Sequence, residues 1–102
     1  MTASEQPDPV IHQPIRLKIM AALKPLGREG MIGFQELKTL TGATDGNLGT
    51  HIGALEKAGH IEVIKDFVGK RPRTRLRMTH SGRRAFEDYV AFLRGIVEVT
   101  GV

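Results

Sequence analysis

The 102-residue sequence predicts a mainly α domain with one small β-hairpin, an α+β class in which three helices precede a two-stranded ribbon and a long helix closes the chain. Three observations lead there. As far as Leu55, apolar residues recur at helical spacing, with Gly or Pro punctuating each run. After Gly59 the period changes to alternation, in two short runs joined by turn residues. From Thr79 onward a helical period returns with a wide apolar face. A chain of this length holds one domain with a single modest core.

Residues 1–9 are polar, include Pro7 and Pro9, and read as a flexible tail. Residues 10–80 then form the body of the domain, and residues 81–102 its closing helix. Pro14 opens the first helix, where the missing proline donor would have no intrahelical partner anyway. Ile15, Ile19, Met20 and Leu23 make its stripe, and Pro25 and Gly27 end it. Met31, Ile32 and Phe34 offer a very short strand. In "FQELKTLTG", Phe34, Leu37 and Leu40 repeat at three-residue intervals until Gly42 stops the helix. Thr44 stands where an N-cap is needed for the third helix, whose Leu48, Ile52 and Leu55 fall at i, i+4 and i+7. Gly59 terminates it. Two short helices joined by a tight glycine-containing turn make a helix-turn-helix unit.

"HIEVIKDFV" is rich in β-branched and aromatic residues, and "RTRLRMT" alternates strictly. Thr74, Leu76 and Met78 lie on one side of the second strand and Arg73, Arg75 and Arg77 on the other, with "GKRP" as the turn. Thr79 or Ser81 caps the last helix, in which Phe86, Tyr89, Val90, Leu93, Ile96 and Val97 form the apolar face.

Charge is concentrated in the hairpin. The net charge is +4, yet residues 65–84 hold eight Lys/Arg against one acid, an excess of +7 set between flanks of −1 and −2. Such a localised basic segment is the footprint of a polyanion-binding surface rather than a general solubility device. Cysteine is absent, which excludes disulfides and thiolate metal sites and suits a reducing cytoplasm. "MTASEQPDPV" lacks the basic start and apolar run of a signal peptide, and no apolar run could span a bilayer.

The order of elements resembles the winged-helix transcriptional regulators, in particular small single-domain proteins of the ArsR/MarR-like type. "HQPIRLKIMAAL", "FQELKTLTGATDGNLGTHIGALEKAGHIEV" and "FVGKRPRTRLRMTHSGRRAF" carry the resemblance, and the last is the most specific. It implies a dimer on duplex DNA, with the second helix of the unit in the major groove and the hairpin, or wing, on the backbone or minor groove.

The residues themselves support that chemistry. Burying Leu48, Ile52 and Leu55 turns Asn47, Thr50 and His51 outward, beside Thr44 at the helix start. Asn pairs bidentately with adenine and Thr contacts bases or the thymine methyl, while a helix N-terminus favours phosphate. The first two turns hold no Arg or Lys, so readout through DNA shape is expected to carry weight. On the wing, Lys70 and Arg71 sit at the tip and Arg73, Arg75 and Arg77 share the face opposite Leu76; these five are the expected phosphate contacts. Gly46, Gly49 and Gly53 each cost the third helix about 1 kcal/mol relative to Ala, which either close approach to DNA or tolerance within a packed helix would explain.

A homodimer is expected through the last helix, with Ile11, Ile15, Phe86, Tyr89, Val90, Leu93, Ile96 and Val97 as its contacts. That would set two recognition helices about 34 Å apart, the spacing of successive major grooves. Repression is expected over activation, because the chain shows no extra domain for recruiting polymerase. Neither catalysis nor a cofactor is expected. His12, His51, His60 and His80 are scattered, no metal-ligand set or phosphate loop is present, and no hydroxyl has a recognisable base. A winged helix that docks protein or RNA without operator specificity is the alternative, weakened by the scarcity of aromatics for base stacking. Room for a small effector in a dimer cleft is left open.

Overall fold

The computed structural model describes residues 8–100. The tail expected over residues 1–9 therefore lies outside the described residues as far as residue 7, as do residues 101 and 102 of the expected closing helix. Asp8 is anchored rather than loose: its Oδ1 accepts from the amides of Val10 (2.8 Å) and Ile11 (3.1 Å), and its Oδ2 lies 3.3 Å from His60 Nε2.

Helix α1 (Pro14–Leu23) starts at its proline, runs into a 3-10 turn (Lys24–Leu26), and ends at Gly27. Strand β1 (Ile32–Gly33) leads directly into α2 (Phe34–Thr41). Gly33 donates its amide to Glu36 Oε1 at 3.3 Å, and Gly42, at φ +72°, ends the helix in the left-handed conformation that glycine adopts without a Cβ penalty. Helix α3 (Asp45–Lys57) is capped by Thr44, whose Oγ1 accepts from Asn47 N at 3.2 Å. Strands β2 (Ile61–Val68) and β3 (Arg71–Met78) form the ribbon, and α4 (His80–Thr100) closes the described chain. Thr79 is the cap of α4, accepting from Gly82 N at 2.9 Å.

The sheet has three strands in the order β1-β3-β2, all antiparallel. The ribbon turn is tighter than the four residues expected, because Arg71 and Pro72 belong to β3 and only Gly69 and Lys70 lie between the strands. Gly69 takes φ +64° and Lys70 does not have positive φ, the sign pattern of a type II′ turn with glycine first. A turn shorter by two residues shifts the register by two, which leaves every side chain on its expected face.

Ile11, Ile19, Met20, Leu23, Leu37, Leu48, Leu55 and Leu76 are fully buried in a core shared by the first three helices and the sheet. Leu40 was expected there and is 59% exposed instead. A three-residue step lags the helical period, so the core position one turn after Leu37 falls to Thr41, whose hydroxyl donates to Leu37 O at 2.8 Å. Ile11, Phe86 and Tyr89, expected at a dimer contact, belong to the chain's own core, and Ile15 and Val90 are partly covered by it. Leu93, Ile96 and Val97 continue the same stripe of α4 but stay exposed, since residues past Val90 have less domain beneath them. No helix among the described residues is long and apolar enough to cross a membrane.

Gly82 packs where α4 meets the strand start. A Cβ there would lie 1.9 Å from His60 O, whereas one at Gly53 would meet nothing within 4 Å. Gly82→Ala is therefore expected to lower stability by about 3 kcal/mol, and Gly53→Ala to raise it by up to about 1 kcal/mol. Denaturant unfolding of the two variants checks the pair; equal effects would contradict the packing.

Candidate nucleic-acid interface

Helix α3 buries Leu48, Ile52 and Leu55 and exposes Asp45, Gly46, Asn47, Gly49, Thr50 and Gly53. A Cβ added to any of those three glycines would meet no atom within 4 Å, so packing inside the chain does not account for them. The Asn47 side chain makes no hydrogen bond among the described residues. Thr50 donates its hydroxyl to Gly46 O at 3.0 Å and keeps its oxygen as an acceptor. Lys38 Nζ, 2.8 Å from Asp45 Oδ1, ties α2 to the start of α3 across solvent.

His51 is placed otherwise than expected. Its Nδ1 accepts from Arg16 Nε at 2.9 Å, which turns the ring toward α1 and half buries it. Desolvation first, and the Arg16 charge second, hold its pKa below the ordinary 6.5. An acceptor at Nδ1 means a neutral ring protonated at Nε2. His51 thus links α3 to α1, and Arg16 also reaches Val10 O at 3.2 Å.

Along the hairpin, Ile61, Val63, Lys65 and Phe67 stand opposite Met78, Leu76, Thr74 and Pro72 on one face. That face looks toward α3: Val63, Lys65 and Thr74 form one wall of an open cleft of about 530 Å³, and Gly49, Ile52, Gly53 and Glu56 form the other. The reverse face carries Arg77, Arg75 and Arg73. These arginines do lie together, as alternation requires, but they are not a free cationic ridge level with α3. The register sets Asp66 opposite Arg73 and Glu62 opposite Arg77. Arg73 grips Asp66 through Nε (2.8 Å to Oδ1) and Nη2 (2.7 Å to Oδ2), and Arg75 Nη2 shares Oδ2 at 3.0 Å. Arg77 holds Glu62 Oε1 through Nε at 3.0 Å and also through Nη2. Both carboxylates could be seen in "IEVIKDF", four residues apart and so on one strand face, the same parity that aligned the arginines.

Among the described residues, the hairpin cations without an acidic partner are Lys65, Lys70 and Arg71, all exposed. Lys65 was missed because it precedes the dense arginine run; its position opposite Thr74 puts it on the face that α3 shares. Pro72 lies in the strand beside Phe67 rather than in the turn. No group of three or more His, Asp or Glu side chains among the described residues could hold a metal ion.

The hydrogen bond from Arg73, opposed by partial desolvation and helped by the charges of Arg73 and Arg75, lowers the Asp66 carboxyl from 3.8 to about 2. A depressed carboxyl stabilises the ribbon above its unfolded value, and that contribution is lost as pH falls from 3.8 through about 2. Carboxyl-carbon NMR is expected to show a midpoint near about 2, returning toward 3.8 in Arg73→Gln. A midpoint indifferent to that change would show that the fork does not form.

The winged helix DNA-binding domain family matches residues 15–97. The chain is 35% identical over 81 residues, 79% of its length, to the uncharacterized protein MJ0432 of Methanocaldococcus jannaschii, and covers 85% of that protein. It is similar in structure to the transcriptional regulator homologue protein from Pyrococcus horikoshii OT3, with a TM-score of 0.80, 28% identity, and coverage of 91% of this chain and 89% of that one. The fold also matches the putative transcriptional regulator ytfH from Salmonella typhimurium, at a TM-score of 0.68 and 22% identity over 88% of this chain and 76% of that one. This chain, with its exposed, capped α3 beside a two-stranded ribbon, belongs to the winged helix DNA-binding domain family.

Proposed function

We propose that this protein is a homodimeric transcriptional regulator that binds duplex DNA and acts as a repressor by occupying its operator. The observation that carries the reading is the surface around α3. Helix α3 carries an Asn47 side chain without an internal partner and three glycines open to solvent, two of which, Gly49 and Gly53, lie across a cleft from Lys65. The amides at the α3 N-terminus, with Thr44 beside them, suit a phosphate. Asn47 and Thr50 face the base edges, and the glycines let the backbone come close to the groove wall. Lys65 together with Lys70 and Arg71 at the tip supplies phosphate contacts that fix register without reading sequence. His51 serves the α1–α3 contact rather than the DNA.

Dimerisation rests on the far half of α4. A helix of 21 residues extends about 31 Å, and Leu93 and Ile96 remain exposed along it although they continue the buried stripe. Pairing with a symmetry mate would cover them and leave Ile11, Phe86 and Tyr89 where they are. No catalytic step enters this role, and a reducing interior such as the cytoplasm suits a chain without cysteine.

Duplex titration at several salt concentrations tests the binding. Lys65→Gln and Lys70→Gln are each expected to weaken binding to all sequences alike and to flatten the plot of log K against log salt by about 0.9. Unchanged slopes would remove the cleft-facing wall from the interface. For the assembly, sedimentation equilibrium is expected to return twice the 11.2 kDa chain mass, and Ile96→Glu to return the single mass. An Ile96→Glu protein that stays dimeric would place the dimer contact elsewhere.

A further inference from the structure

Three arginines on one strand face would be expected to dominate the wing's field, yet each is held by a carboxylate from the neighbouring strand. Asp66 is the centre of that arrangement. It takes both donors of one Arg73 fork and one donor of Arg75, at 2.7–3.0 Å. Arg73, Arg75 and Asp66 all keep between 29% and 40% of their side-chain surface exposed, so this is a surface triad that an incoming group can reach. A phosphodiester presents two oxygens to a guanidinium fork as a carboxylate does. Any phosphate that approached Arg73 would find the fork filled by an oxygen pair of the same shape and charge.

We infer that Asp66 is an internal competitor for DNA phosphate: in the free protein it occupies the forks of Arg73 and Arg75 and thereby limits the affinity of the wing for any duplex. This rests on the DNA-binding reading above and adds a brake to it. Its effect falls on the sequence-independent part of binding. Phosphate contacts supply nearly all non-specific affinity, and a wing with three free arginines would hold every duplex more tightly without reading it better. Glu62 makes the same kind of pair with Arg77 at the foot of the ribbon, four residues nearer the core, roughly 13 Å away along the strand. There it serves to hold the sheet rather than to meet DNA.

The test compares Asp66→Asn with Glu62→Gln, which change the net charge equally, on a random-sequence duplex. Asp66→Asn is expected to bind roughly tenfold more tightly near 0.1 M salt, with a salt slope steeper by about one to two units as one or two more phosphates are engaged. Glu62→Gln is expected to change affinity less than about twofold, because its partner Arg77 stands at the foot of the ribbon, away from the tip. Arg73→Gln should cost more affinity in the Asp66→Asn background than in the wild type. The inference is overturned if Asp66→Asn binds no better, which would make Asp66 a group that orients the arginines. It is overturned equally if Glu62→Gln gains as much, which would make the effect one of net charge, or if Arg73→Gln costs less in the Asp66→Asn background. Absence of salt-dependent duplex binding by the wild type would instead remove the DNA-binding reading itself.

Discussion

Leu76 and Met78 are buried on the same side of β3, and their burial decides how the hairpin is turned. Opposite them across the ribbon stand Val63 and Ile61, and in front of Leu76 on the other edge stands Ile32. With that apolar face committed to the helices, a strand's two-residue period leaves no freedom for the rest. Lys65 and Thr74 must extend the helix-facing side toward the tip, and Arg73, Arg75 and Arg77 must take the reverse. The surface chemistry of the wing is thus a by-product of core packing. The cations on the α3 side of the sheet and at its tip, Lys65, Lys70 and Arg71, have no acidic partner among the described residues, whereas those of the reverse face are held by Asp66 and Glu62.

Helix α3 depends on the same core from the opposite direction. Three glycines among 13 residues weaken it as an isolated helix, and its stability comes from Leu48, Ile52 and Leu55 beneath and from the Thr44 cap. The Arg16–His51 contact adds a polar tie to α1. A helix held from below in this way can afford a bare outer surface. The outward backbone at Gly46, Gly49 and Gly53 has no packing partner within the described chain.

Local signals were legible in the sequence and distant ones were not. Pro14, Gly42, Thr44 and Gly59 mark helix limits through chemistry confined to one turn, and α1, α2 and α3 follow those marks. Strict alternation in "RTRLRMT" correctly separated Leu76 and Met78 from the arginines. What escaped depends on partners far along the chain. The very short strand expected around Ile32 is present, but its pairing with β3, more than 40 residues on, was not foreseen. His51 is captured by Arg16 from 35 residues away. Phe86 and Tyr89 fill this chain's own core, although as a stripe they look the same as Leu93 and Ile96. The charges of the wing's reverse face are partly neutralised by Asp66 and Glu62, two carboxylates against three arginines, through a cross-strand register that a composition count does not contain.

On the DNA-binding reading proposed above, the duplex lies against α3 and the α3-facing side and tip of the ribbon, with the reverse face at the foot of the ribbon outside the contact. Amide and side-chain NMR shifts on adding a short duplex measure this most directly. The largest changes are expected at Thr44 to Gly53 and at Lys65, Lys70 and Arg71, with Glu62 and Arg77 little altered. Shifts concentrated on Arg77 and the exposed length of α4, with α3 unmoved, would contradict it.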